Sequence, residues 1–144
     1  MKCGKFLFIG AMVAAGAAFA AEATDPTVKA RQELMDTIAA NTKILGEMAG
    51  GKTPHDAAAA EAAKVALVAA SADIGAKFEP EATDPKSAAK PEIWTNWEDF
   101  LKKAGALNAA ATALDVASAE TIGAGMGAVG GACKDCHQTY QIPR

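Results

Sequence analysis

SAETIGAGMGAVGGACKDCHQTY, from Ser118 to Tyr140, lies near the C-terminal end of a chain of 144 residues. Ile122, Met126, Val129, Cys133 and Tyr140 follow the 3.6-residue period, so the stretch predicts an amphipathic helix. Ser118, just ahead of the periodic residues, is a favoured N-cap. Within the stretch, Cys133-Lys134-Asp135-Cys136-His137 puts two thiols on one side of a helical turn, with an imidazole next to the second. A Cys-x-x-Cys-His run is the attachment sequence for c-type haem. Two thiols so spaced can add to the two vinyl groups of one porphyrin, and the adjacent histidine reaches the iron from the same side. The reading therefore predicts one covalent haem c with its iron, held by Cys133 and Cys136, with His137 as an axial ligand.

Two rival readings of the pair are weaker. A thioredoxin-like dithiol expects a βαβ context, and no such pattern is present. A zinc site needs about four ligands, and beyond the motif only His55 is available. His55 reads as a solvated residue in the first turn of a helix. The stretch also holds Gly123, Gly125, Gly127, Gly130 and Gly131. Each costs up to about 1 kcal/mol in a helix interior relative to alanine. They predict either fraying or the close approach of a flat, bulky group.

Working outward, three more helices are expected. The first opens with Asp25 as N-cap and Pro26 at the first position. Val28, Met35, Ile38, Thr42, Leu45 and Ala49 form its inner stripe, and Gly50-Gly51 ends it. Thr53-Pro54 repeats the start signal for a second helix that runs to about Phe78. Three prolines, Pro80, Pro85 and Pro91, make residues 79–91 a loop. The third helix carries Trp94, Trp97, Leu101, Ala104, Leu107, Ala111 and Leu114. Four helices joined by two short loops and one long one predict an all-α fold, an antiparallel four-helix bundle with covalently attached haem.

The N-terminus reads separately. Lys2 and Lys5, the apolar or small-residue run from Phe6 to Ala18, and Ala18-Phe19-Ala20 have the form of a secretory signal peptide. Residues 1–20 are expected to be cleaved, with Cys3 lost alongside, leaving a bundle domain over residues 21–144 in the periplasm. The apolar run is too short to span a bilayer of about 30 Å comfortably, and no second run resembles a membrane span. Removing Lys2 and Lys5 takes the formal net charge from −3 to −5. A mildly acidic chain without a basic cluster argues against nucleic acid and anionic membrane surfaces as partners.

These features resemble the class II c-type cytochromes, the cytochrome c-prime family, over nearly all of the mature chain. The resemblance rests on Lys29-Ala30-Arg31-Gln32-Glu33-Leu34-Met35, Asp56-Ala57-Ala58-Ala59-Ala60, Lys90-Pro91-Glu92-Ile93-Trp94, and Gly130-Gly131-Ala132-Cys133-Lys134 leading into the haem motif. It implies that Cys133 and Cys136 form thioethers and that His137 is the proximal ligand. Met35 matches the distal position, where the family has a non-bonding residue or a methionine ligand. Arg31 and Gln32 resemble residues that meet the haem propionates; a fork of donors suits a carboxylate. The alternative for Arg31 is a solvated helix face. The sequence departs from the family where an arginine usually follows Tyr140: Gln141 stands there, and Arg144 comes later.

Two functions follow from the resemblance. With His137 and Met35 both on iron, the protein shuttles single electrons between redox partner proteins, as the low-spin branch of the family does. With Met35 only packing, a five-coordinate haem binds nitric oxide or carbon monoxide. The first is preferred, because the first and third helices look closer to the low-spin branch. Methionine on an inner helix face is also ordinary core filling. An enzymatic peroxidase reading lacks a distal histidine to act as acid and base. Many relatives form homodimers through exposed bundle faces.

Overall fold

The computed structural model describes residues 23–143. The expected signal peptide, residues 1–20, lies outside them. The helices are α1 (Pro26–Ala49), α2 (Ala57–Ala72), α3 (Ile74–Phe78), α4 (Glu92–Thr95), α5 (Trp97–Ala113) and α6 (Ala119–Tyr140). Among the described residues there is no strand, only an isolated antiparallel bridge between Ala89 and Gln141. The four long helices form the expected bundle. α1 packs on α2 and α6, and α5 packs on α2 and α6.

Local chemistry sets most helix ends. The Asp25 carboxylate accepts from the backbone N–H groups of Thr27 and Val28, both at 2.9 Å. At the other end of α1, Gly51 adopts φ +69°, a conformation that suits glycine. Ser118 and Thr121 cap α6 reciprocally.

Four expectations about the helices need correction. The second helix does not start at Thr53-Pro54. The N–H groups of Lys52 and Thr53 still donate to the Glu47 carbonyl, finishing α1. Asp56 caps α2 instead, accepting from Ala59 N at 2.8 Å; aspartate is the stronger N-cap. Nor does that helix run unbroken to Phe78. The Asp73 N–H donates to Ala70 O at 3.2 Å, a tighter closure that ends α2, and α3 starts at Ile74. The third helix divides at Asn96, whose backbone leaves the helical region at φ −122°, ψ 43°. Leu114 lies just beyond α5 in extended geometry.

α6 runs unbroken through all five glycines. A Cβ at Gly125 would lie 2.4 Å from Leu114 Cδ1, whereas one at Gly127, Gly130 or Gly131 would meet nothing within 4 Å. Fraying therefore does not account for the glycines. At Gly125 the close neighbour is the protein's own Leu114. The core is continuous, with Leu45, Leu67, Ile93, Leu114, Ile122 and Val129 almost fully enclosed.

Candidate haem site

At the end of the bundle where α1 begins and α6 finishes lies a cavity of about 650 Å³. α6 lines it with Ala132, Cys133, Cys136, His137 and Tyr140. Residues 133, 136, 137 and 140 fall on one side of a helix by the i, i+3, i+4, i+7 spacing. α1 lines it from Val28 to Lys43, with Met35 midway along that stripe. α5 contributes Phe100, Lys103, Ala104 and Leu107. Met35, Cys133 and Cys136 are half-buried and pack against the core.

Residues 79–91 form a strap over this end. Its Ser87, Ala88 and Ala89 line the cavity. Ile142 N donates to Ala88 O, and Lys90 N to Tyr140 O, joining the strap to the end of α6. The Asp84 carboxylate accepts from Thr24 N, Thr24 Oγ1, Asp25 N and Lys86 N, joining it to the start of α1. These backbone N–H groups, that of Asp25 first, hold the Asp84 carboxyl at a pKa of about 2.

Arg31 is only 3% exposed, so a solvated helix face is ruled out. Its Nε donates to Lys77 O at 3.1 Å, Nη1 to Ala82 O at 3.3 Å and Nη2 to Pro80 O. The guanidinium also lies about 5 Å from the ring centroids of Phe78 and Trp94. Gln32 donates to Lys86 O and accepts from Ala23 N. Both residues line the cavity. His55 precedes α2 rather than standing in its first turn, and its Nε2 lies 2.9 Å from Val116 O. It takes no part in the cavity. Among the described residues no group of three or more His, Cys, Asp or Glu side chains could hold a bare metal ion.

The two cysteines are not joined by a disulfide. Burial pushes both thiols above their ordinary pKa. Two thiols and an imidazole on one helix face, a thioether on another helix, and mostly apolar walls suit a covalently held haem. They do not suit a bare cation.

Several site residues escaped the sequence reading. Lys103 lines the cavity between Phe100 and Leu107; a charge on an apolar stripe was the available signal. Tyr140, 3% exposed, donates to Asp99 at 2.7 Å, and burial, then that bond, pushes the phenol up to about 12. The strap reaches the cavity through the chain's return path, which no local pattern encodes, and Gln141, the C-cap of α6, lines it too.

Fold and site together define a haem-binding helical bundle of the c type. The chain belongs to the cytochrome c' family, whose model matches residues 26–141. It is 35% identical over 134 residues to cytochrome c-556 of Agrobacterium fabrum, covering 90% of this chain and 88% of that one. It is also 35% identical over 140 residues to cytochrome c' of Cereibacter sphaeroides, covering 89% and 90%. Among solved structures, a ferrous variant of cytochrome c prime from Alcaligenes xylosoxidans with bound NO superposes with a TM-score of 0.72. The two are 30% identical, covering 82% of this chain and 94% of that one. Cytochromes of this family carry haem c, covalently bound with its iron, and Cys133 and Cys136 are the attachment candidates in this chain.

Proposed function

We propose that this protein is an exported carrier of single electrons whose haem iron is ligated by His137 and Met35. When bound, the haem would supply a one-electron couple, and ligation by a methionine as well as a histidine would raise its potential. Cys133 and Cys136 hold the group as thioethers. His137 approaches from the α6 side. Met35 lies midway along the α1 stripe that lines the same cavity, and this observation carries the reading. A thioether is a modest ligand, but tethering to a folded helix gives it a high effective concentration. Three of the five N–H donors of Arg31 serve backbone carbonyls, one in α3 and two in the strap, so contacts to the propionates fall to its remaining two and to Gln32. The reading assigns no catalytic residue. Its place of action is the periplasm, and its partners are redox proteins.

The similarity to cytochrome c-556 fits this reading. The NO bound to the Alcaligenes xylosoxidans relative supports a second one, in which Met35 only packs and the iron takes gaseous ligands. Gln141, where the family usually has arginine, weighs against that second role. Substituting Met35→Ala separates the two. The first reading predicts a shift from low-spin to high-spin iron and carbon monoxide binding faster by at least tenfold, with the haem still attached. An unchanged spectrum and rate would transfer the function to gas binding.

A further inference from the structure

His137 stands in the last turn of α6, which ends at Tyr140. The last four carbonyls of a helix have no intrahelical N–H partner, so its final turn needs ties from outside. The His137 side chain is exposed, so burial does not fix it. Tyr140, three residues on along the same face, is 3% exposed and lines the same cavity. Its ring stands edge-on to Phe100 of α5, with centroids 5.5 Å apart, and Phe100 packs in turn on Phe78 and Trp97. Its hydroxyl donates to Asp99 Oδ2 at 2.7 Å, and Asn96 O lies 3.4 Å away. The ring covers the helix end, and the hydroxyl adds a direction, because one ring edge can slide along another. A bond to a carboxylate is also stronger than one between neutral groups. The Lys103–Asp135 pair, which likewise joins α5 to α6, is an exposed ion pair and contributes little.

We propose that Tyr140, through its bond to Asp99, is a positioning residue that sets the direction from which the His137 imidazole meets the haem iron. This rests on the ligation by His137 in the reading above, not on whether Met35 binds iron. Thioethers at Cys133 and Cys136 anchor α6 on the N-terminal side of His137. Tyr140 anchors it on the C-terminal side, so the imidazole is carried between two fixed points on one helix face. An axial bond needs this precision, since ligating groups must be held within about 0.5 Å and 10–20° of their working geometry. Without the second anchor the last turn frays, and the imidazole meets the iron over a range of distances and tilts. Tyr140 acts through His137 and needs no contact with the iron.

The test is the iron–imidazole stretching band of the haem-loaded ferrous protein. Resonance Raman reads it just after photolysis of bound carbon monoxide, when the iron is five-coordinate whether or not Met35 is a ligand. Tyr140→Phe keeps the ring and loses the bond, and should broaden the band roughly 1.5- to twofold and move it to lower frequency. Asp99→Leu should do the same, and the double variant should add nothing to either single one. Asp99→Asn keeps an acceptor oxygen and should stay near wild type. Ser71→Ala removes bonds on α2, diagonally across the bundle from α6. It should lower the melting temperature and leave the band unmoved. A band unmoved in Tyr140→Phe, or moved as far in Ser71→Ala, would overturn the proposal. If Tyr140→Phe takes up no haem, Asp99 decides: a change in Asp99→Leu but not in Asp99→Asn supports the proposal, and any other pattern overturns it. A wild type without an iron–imidazole band would remove ligation by His137, and the proposal with it, so the two failures are told apart.

Discussion

Gly125 and Gly130 stand five residues apart on α6 and meet different surroundings. A Cβ at Gly125 would press on Leu114, a side chain 1% exposed with no room to retreat, whereas one at Gly130 would enter open space. Gly125→Ala should therefore cost roughly 1–3 kcal/mol through overpacking. Gly130→Ala should stabilise by up to about 1 kcal/mol through helix propensity. Thermal unfolding of both variants checks this, and equal effects would contradict it. The glycines were legible as residues, but not which of them had a neighbour, because Leu114 reaches α6 through a turn. Cys133, Cys136 and His137 were legible because their chemistry is local to one helical turn. Arg31 was half legible: its place beside the site followed from the resemblance, but its burial depends on carbonyls 46 to 51 residues away.

At the scale of elements, α1 and the strap depend on each other. Asp25 caps the helix from within its own segment, and Asp84 reaches back across some 60 residues to bind Thr24 and Asp25. The Asp84 carboxyl titrates near 2 in the folded chain, below its ordinary value of 3.8. A depressed folded-state pKa contributes stability that is present above the unfolded value and lost as pH falls through about 2. Asp84→Ala should therefore lower the melting temperature at neutral pH and show a smaller further drop between pH 4 and 2 than wild type. A parallel decline of the two proteins would contradict the assignment. Helix starts marked by Asp25 and Ser118 were legible because the capping groups sit next to the ends they cap. The breaks at Asp73 and Asn96 were not. Around the first, Asn108 of α5 donates to Val68 O and Ser71 Oγ of α2, tertiary contacts that no window along one helix contains.

The whole molecule places the candidate attachment residues of α6 and the candidate distal ligand of α1 around one cavity. The order and bundling of the four long helices were legible because apolar stripes of 3.6-residue period must be covered by one another. The strap's closure over the cavity was not, since residues 79–91 carry no periodicity. Among the described residues no helix is long and apolar enough to cross a membrane. With the basic start and the Ala18-Phe19-Ala20 site, export predicts that mature protein from its native host begins near Ala21. N-terminal sequencing that found Met1 on soluble, haem-loaded protein would contradict this. The central claim, ligation of the iron by both His137 and Met35, is tested most directly by the absorption spectra of the wild-type protein in its ferric and ferrous states. The account predicts low-spin iron in both, with carbon monoxide binding the ferrous form slowly because Met35 must first leave. High-spin iron in both states with rapid carbon monoxide binding would contradict it.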